Sequence, residues 1–455
     1  MIKTLVTIFS IPDLRKKVIF TLAMLIVFRI GAHITVPGLD YKVLEDLFAK
    51  PGDGKLTDYI DLFAGGAFKR LSVFALGIMP YISASIIMQL MMIVVPSLQR
   101  MAKEGDFGRK KINQYTRYGT VILCAFQSYG ITLYITSLHN NEVARGVELI
   151  VGGPTAGFTA MTILTITAGT ILLMWIGELM TERGIGNGTS LLIFAGIISG
   201  APQALSIFAN DISTNQTEVV LALILVVLFV GMIALSILLS EGQRRIPLQY
   251  GKRIVGRRMV QGASQTLPIK VNAANVMPII FASSLMIFPS QIAQSFGAKY
   301  QGLGDFLKSY LSPGTVSYIV IYTLLIIFFA YFYTTIQYNP KEIAEALKKN
   351  GGYIPGIRPG AHTEETLERI LNRITLSGAL FLAFIAIAPD LIIRLWDLQK
   401  YSNLVHLFGG TSLLITVGVA LDTLKQVESQ LVMRHYDGFM DRNKKSSGSR
   451  PRVVR

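Results

Sequence analysis

Ten hydrophobic stretches constrain this chain more than any other feature. They occupy residues 18–36, 73–95, 118–138, 156–176, 190–209, 219–239, 273–292, 316–337, 374–393 and 404–424. An α-helix needs roughly 20 apolar residues to cross a bilayer, so each stretch is about long enough. Charged residues make up only 16% of the 455 residues, compared with about 25% in an average soluble protein. The sequence therefore predicts an all-α polytopic membrane protein with ten transmembrane helices, and it excludes a soluble enzyme, a disordered protein and a disulfide-rich secreted domain.

The distribution of positive charge predicts how these helices are oriented. Of the 43 Lys and Arg residues, 32 lie in one alternating set of segments: 1–17, 96–117, 178–189, 241–272, 338–373 and 425–455. Cytoplasmic loops of membrane proteins are enriched in Lys and Arg. This set is therefore expected to face the cytoplasm, with both termini on that side.

Ten helices divide into two halves of five, at residues 1–209 and 210–424. Because five is odd, the halves have opposite orientations, as in the inverted repeats of many transport proteins. The second half carries two long cytoplasmic loops, 241–272 and 338–373, of which the latter predicts a charged helix over 341–349, broken by Gly351-Gly352. The basic tail 425–455 is poor in apolar residues after Met440 and is expected to be disordered there.

Catalytic and metal-binding motifs are missing from the sequence. Cys124 is the single cysteine, so neither an internal disulfide nor a cysteine-based metal site is possible. There is no HExxH, GxSxG or GxxxxGK[ST] motif, and GIGNG at 184–188 is interpreted as a tight connection between helices. Glu178 and Asp422 lie at the ends of hydrophobic stretches without an evident carboxylate partner. The sequence thus predicts a protein that is not an enzyme and has no cofactor.

Arg29 is the one charged residue well inside the first hydrophobic stretch. Ionisable residues inside a membrane are often functional, but a contact to backbone carbonyls would also explain this residue. A proton-coupled solute transporter would carry several buried acids, which this chain lacks.

Several long motifs occur in order along the chain. They are GGAFKRLSVFALGIMPYISASIIMQL (65–90), EGDFGRKKINQYTRYGT (104–120), GELMTERGIGNGTSLLIFAGI (177–197), IFASS (280–284), YNP (338–340), IPGIRPG (354–360) and FGGTSLLI (408–415). With these motifs the sequence resembles the SecY family of protein-conducting channels, from the first hydrophobic stretch to the last. The resemblance implies two pseudo-symmetric halves around a central pore that translocates unfolded secretory proteins.

The resemblance also implies which residues close the pore. The family's apolar pore ring corresponds to Ile78, Ile82, Ile193, Ile280 and Ile415. Its plug, a half-helix outside the pore, corresponds to about 58–71 and includes Asp61, Gly65, Gly66, Lys69 and Arg70. Two glycines and two basic residues make a poor lipid-facing helix, so a position inside a funnel is physically better.

A lateral gate between the second and seventh helices is implied in the same way. Its expected residues are Ser83, Ser85, Gln89, Gln127, Ser283, Ser284 and Phe288. Small and hydroxyl-bearing residues allow close helix contact with weak hydrogen bonds, which makes a reversible seam. The alternative is that these side chains only pack between helices.

Partners follow from the family. Its basic cytoplasmic loops dock the ribosome and the motor ATPase SecA, and here they contain Arg257, Arg258, Lys348, Lys349 and Arg358. The positive-inside rule alone would also place such charges in these loops, but Arg358 lies at a rigid tip between two prolines. The resemblance further implies the partner subunits SecE and SecG, signal sequences as clients, and a bacterial cytoplasmic membrane location.

Overall fold

The computed structural model describes residues 11–40, 43–44, 61, 63–143, 148–214, 218–250, 253–255, 258–260, 264–272, 274–296, 310–311, 315–396, 405–406 and 409–447. Within them a helix coincides with each of the ten hydrophobic stretches, which confirms the predicted all-α membrane fold. By length and composition alone, six helices in the described part are long and apolar enough to cross a membrane. The number rises to seven if one pair of helices joined by a bend is counted as a single span.

In the described part of the chain, seven helices of the first half have defined bounds. They are α1 (Pro12–Gly31), α2 (Met79–Val94), α3 (Pro96–Lys103), α4 (Asp106–Val143), α5 (Ala156–Arg183), α6 (Gly188–Ser199) and α7 (Ala201–Thr214). Helices α2 and α3 are bent by 100°. The bend follows from Pro96, because a residue before proline is pushed to extended backbone, as Val95 is.

The second half contains six described helices and a small β unit. The helices are α8 (Glu218–Glu241), α9 (Met277–Phe296), α10 (Val316–Gln337), α11 (Pro340–Lys349), α12 (Ala361–Leu395) and α13 (Gly410–Ser447). Helix α11 confirms the predicted charged helix. Helix α13 continues seven residues beyond Met440, so the expectation of disorder directly after that residue was wrong.

Helix starts follow simple rules of backbone chemistry. Prolines lie in the first turn of α1, α2, α3 and α11, where the missing N–H is not needed. Thr155, Asn187 and Thr315 precede α5, α6 and α10, and each side chain accepts a hydrogen bond from a first-turn N–H.

The two long loops of the second half fold together. Strand β1 (Gln243–Tyr250) pairs antiparallel with β4 (Ser264–Lys270), while β2 (Arg253–Val255) pairs with β3 (Arg258–Val260). The short strand β5 (Gly352–Tyr353), from the other loop, joins the free edge of β1. A separate hydrophobic core lies beneath this sheet and includes Ile246, Leu248, Ile269, Leu347, Leu367 and Leu371. The unit is therefore a small folded platform.

One large hydrophobic core runs through both halves of the helical region. It joins side chains of the segment before α2 and of helices α1, α2, α4, α5, α6, α8, α9, α10, α12 and α13. Helix α9 packs against α2 and α4 of the first half, and α13 packs against α6. The two halves therefore meet through α2, α4 and α6 on one side and α9 and α13 on the other.

Candidate functional site

All five predicted ring isoleucines are buried in the large core. Ile78 directly precedes α2, Ile82 lies in its first turn, and Ile193 is on α6. Ile280 and Ile415 lie near the starts of α9 and α13. Each is at most 7% exposed, and all belong to the same cluster of buried residues. All five thus lie in one buried core, although up to 337 positions separate them in the sequence.

The predicted plug segment packs into this core. Asp61, Phe63 and Ala64 are helical, but residues 65–70 form turns. Gly65 and Gly66 adopt φ angles of +69° and +86°, which end the helix because an αL conformation cannot continue it. The predicted half-helix therefore stops short of residue 71, and residues 58–60 lie outside the described part.

The turns that follow Gly65 are held by a single carboxylate. Asp61 Oδ1 accepts hydrogen bonds from the backbone N–H groups of Phe68 and Lys69, at 3.0 and 3.1 Å. Phe63, Ala67 and Phe68 are buried. Arg70 is half-buried, and its Nη1 atom has no hydrogen-bond partner among the described residues.

Arg29 reaches the plug segment from α1. Its Nη1 donates to the carbonyl oxygen of Gly65 at 2.7 Å. The hydroxyl of Ser199, at the end of α6, shares its single proton between the Gly196 carbonyl of its own helix at 2.7 Å and the Gly65 oxygen at 3.2 Å. Of the two interpretations left open for Arg29, the backbone-carbonyl contact is confirmed.

The predicted gate residues lie on three helices: Ser83, Ser85 and Gln89 on α2, Ser283, Ser284 and Phe288 on α9, and Gln127 on α4. Ser284 Oγ on α9 approaches Met79 Sδ on α2 at 3.6 Å, whereas Ser283 Oγ donates to the Ile280 carbonyl of its own helix. Ser83 is half-buried. Gln127 is buried on α4, and its Oε1 has no hydrogen-bond partner in the described structure. Phe288 belongs to α9, but its side chain lies outside the described part.

A hydrogen bond that the sequence did not reveal also crosses between the halves. Tyr333 on α10 donates its hydroxyl proton to Gln89 Oε1 on α2 at 2.6 Å, and Gln89 Nε2 donates to Ser85 at 3.3 Å. The Tyr333 ring packs against Phe281 of α9, with the centroids 5.0 Å apart. A hydroxyl within an apolar stretch was the available signal, although 244 positions separate the two partners.

The predicted docking residues are presented outward where the structure describes them. Lys348 and Lys349 are exposed in the last turn of α11. Arg358 is exposed, and Thr363 Oγ1 donates to its carbonyl oxygen at 2.9 Å, which fixes the backbone of the tip. Arg258 lies in β3, with its side chain outside the described part, and Arg257 is not among the described residues.

The carboxylates near the ends of helices have structural partners. Glu178 receives two hydrogen bonds from Arg117 of α4, at 2.6 and 3.0 Å. Asp422 accepts from Asn275 Nδ2 at 2.7 Å. Asp390, which the sequence reading missed, is buried near the end of α12 with His406 Nε2 at 3.9 Å. Over the described residues, no three His, Cys, Asp or Glu side chains are grouped as metal ligands.

The GIGNG segment is a tight connection, as the sequence predicted. Its Gly186 N–H donates to Gln426 of α13, and the Ile185 N–H donates to Thr21 of α1. Asn187 caps α6 because its Oδ1 accepts hydrogen bonds from the N–H groups of Thr189 and Ser190. The segment therefore joins helices of both halves.

Comparison with known proteins identifies the family. The SecY family model matches residues 72–424. The chain belongs to the SecY family. A curated relative, the protein translocase subunit SecY of Halalkalibacterium halodurans, is 45% identical over 446 residues, which cover 97% of this chain and 100% of the relative.

Two solved structures share the fold. One, described as a protein-conducting channel, matches with a TM-score of 0.63 and 21% identity, covering 92% of this chain and 93% of that one. The other is Sec61 in a canine ribosome–channel complex from the endoplasmic reticulum, with a TM-score of 0.60 and 20% identity over the same fractions. SecY proteins form protein-conducting channels of ten helices in two halves and are not enzymes, which confirms both expectations for this chain.

Proposed function

We propose that this chain is the central subunit of a Sec protein-conducting channel in a bacterial cytoplasmic membrane, with both termini in the cytoplasm. Unfolded secretory proteins cross between the two halves, and hydrophobic membrane segments leave sideways into lipid. The channel itself makes and breaks no covalent bond. Energy for transport comes from its partners.

The observation that carries this proposal is that five isoleucines from both halves are buried in one hydrophobic core. Helices α2 and α6 belong to the first half, and α9 and α13 to the second. A narrow apolar constriction is poorly wetted and therefore opposes ion passage. Apolar side chains also pack around an extended chain without regard to its sequence, so the same ring seals the channel during transport.

The contacts between α2 and α9 support a lateral gate. In the described part, the direct side-chain bond between these helices is Ser284 to Met79, and a thioether sulfur is a weak acceptor. Such a seam separates at low cost. A signal sequence, as a short apolar helix, gains free energy by moving through it into lipid, so the gate sorts segments by hydrophobicity.

The cytoplasmic platform supports docking of partners. Lys348, Lys349 and Arg358 are exposed on it, and a cationic surface attracts the phosphate backbone of ribosomal RNA in a salt-dependent way. The similar canine channel was solved in a ribosome complex. We assign this surface, together with Arg257 and Arg258, to the ribosome and SecA, and we expect SecE and SecG as partner subunits.

A reversible crosslink between the halves tests the proposal. In a Cys124→Ala background, the pair Met79→Cys and Ser284→Cys is joined by oxidation or a short thiol crosslinker. We expect export of a secretory protein to stop and to recover on reversal, because the halves can no longer separate at the seam.

The control pair lies within the first half. Arg117→Cys and Glu178→Cys replace an ion pair between α4 and α5, so joining them leaves the seam free, and we expect export to continue. Normal export through channels that are fully crosslinked at Met79 and Ser284 would contradict the proposed gate.

A further inference from the structure

One carbonyl oxygen of the plug segment receives hydrogen bonds from two helices. Arg29 Nη1 of α1 donates to the Gly65 oxygen at 2.7 Å, and Ser199 Oγ of α6 shares its single proton between this oxygen at 3.2 Å and the nearer Gly196 carbonyl at 2.7 Å. A bond from a guanidinium is stronger than one between neutral groups. The plug segment is therefore fastened at Gly65 to two helices of the first half.

The backbone at this point also lies directly on α6. A Cβ atom added to Gly65 would come within 2.9 Å of Gly196 Cα, and one added to Gly196 would come within 2.7 Å of the Phe63 carbonyl oxygen. Two glycines thus allow backbone-to-backbone contact, and the contact brings the Gly65 carbonyl within reach of both donors.

A second attachment holds the end of the segment. The Val36 N–H donates to the Leu71 carbonyl at 3.0 Å, and the Val73 N–H donates to the Ile34 carbonyl at 2.8 Å. Residues 66–70 lie between this backbone pairing and Gly65. Movement of the segment away from the core therefore requires the bonds at Gly65 to break, while the pairing at Leu71 and Val73 can persist as a hinge.

The charge of Arg29 makes the attachment at Gly65 more than a packing contact. The side chain is half-buried and lies within Coulombic range of both Arg70 and Asp61. A guanidinium away from water is costly unless its donors are paired. Displacing the plug segment removes the Gly65 carbonyl and exchanges this charge-assisted bond for hydration by water, and the lost bond favours return of the segment.

We propose that Arg29 is a positioning residue that holds the plug segment closed through the Gly65 carbonyl, with Ser199 as an auxiliary donor. The inference rests on the proposed channel function. It assigns to Arg29 the control of how often the resting channel opens. Conversion of the channel to its open state breaks this bond.

Ion conductance of the resting channel tests the inference. The channel complex, purified with its partner subunits, is placed in a planar bilayer without a secretory chain. We expect Arg29→Met to raise the resting conductance roughly tenfold, as the loss of a hydrogen bond from a charged donor implies. Arg29→Lys, which keeps the charge and a donor, is expected to give a smaller rise, and Ser199→Ala a smaller rise than Arg29→Met.

A pair of glycine variants provides a matched control that does not depend on Arg29. Gly65 and Gly66 both have positive φ angles, so alanine strains the backbone at either position, but a Cβ on Gly66 meets nothing within 4 Å. We expect Gly65→Ala to raise the conductance well above that of Gly66→Ala. Equal conductance in this pair, or an Arg29→Met conductance within twofold of the unmodified channel, would overturn the inference.

Crosslinking of a stalled secretory chain to a cysteine at position 82 distinguishes the proposed channel function from the proposed role of Arg29. With Arg29 intact, a chain in transit that never crosslinks there contradicts the channel function itself. A normal crosslink together with unchanged resting conductance in the variants overturns only the role of Arg29.

Discussion

Replacing Tyr333 by phenylalanine is expected to favour separation of α2 from the second half. The variant removes the hydroxyl that donates to Gln89 Oε1 at 2.6 Å but keeps the ring that packs on Phe281. Hydrogen bonds of this kind contribute about 1 kcal/mol net, and an acceptor left unpaired adds about 1 kcal/mol more. A change of about 1–2 kcal/mol corresponds to a roughly 5- to 30-fold increase in the ratio of open to closed seams.

Distance measurements between spin labels on the two helices give that ratio. Ile87 on α2 and Leu285 on α9 are 48% and 45% exposed, so cysteine and a label at these positions leave the seam intact. In lipid nanodiscs we expect the longer distance to gain population in Tyr333→Phe. A reporter with a weakened signal sequence is expected to be exported faster by the same variant.

Tyr331→Phe is the matched control, because it makes the same substitution two residues away on α10. The Tyr331 hydroxyl donates to the Asn372 carbonyl of α12 at 3.2 Å, so its bond lies within the second half. We expect no change in the distance distribution. An unchanged distribution in Tyr333→Phe, or an equal shift in Tyr331→Phe, would refute the reasoning.

Three further variants test the platform and the helix connections. Arg358→Glu is expected to reduce export strongly while the protein remains inserted, because the charge of the exposed tip is reversed; normal export, measured with a secreted reporter, would count against docking there. Gly188→Ala places a Cβ against the Gly177 carbonyl, and we expect it to destabilise the fold by about 1–3 kcal/mol. The control is Gly231→Ala, because a Cβ at that position meets nothing within 4 Å. We therefore expect the thermal unfolding midpoint of Gly188→Ala to be lower than that of Gly231→Ala. Ile246→Ala removes a buried side chain of the platform core, and we expect it to lower the stability of the platform by about 2–5 kcal/mol. Hydrogen exchange is then expected to speed up in β1 and β4 but not in α5. Equal protection of β1 and β4 in the variant and the parent would argue against an independent core.

The lengths of the hydrophobic stretches were enough to predict most of the helical fold. A helix coincides with every stretch of apolar residues because a membrane leaves the backbone few other ways to satisfy its hydrogen bonds. The pairing of β1 with β4 was not predicted, since each strand contains a proline and β1 also carries Arg244 and Arg245. Its strands are stabilised by Leu347 and Leu367 from the other loop and α12, which no local pattern reveals.

Some residues of the candidate site were predicted from the sequence, whereas others were seen only in the structure. The ring isoleucines came from motif resemblance, because an isoleucine in a hydrophobic stretch gives no local sign of lining a pore. Tyr333 and Met79 were missed, since their partners are more than 200 positions away in the chain. The role of Arg29 stayed open until the turn at Gly65 was seen, because the contact depends on a backbone carbonyl that every residue possesses.

Crosslinking from the ring tests the central claim most directly. In the Cys124→Ala background, Ile82→Cys and Ile280→Cys are compared with Ile87→Cys and Leu285→Cys on the same two helices, while a secretory chain carrying a photoreactive or thiol-reactive group is stalled in transit. The channel account predicts crosslinks at positions 82 and 280 that vanish when the signal sequence is disabled, and far weaker ones from the exposed positions 87 and 285. Crosslinks that are absent from the ring positions, or equally strong from the exposed positions, would contradict a pore lined by these isoleucines.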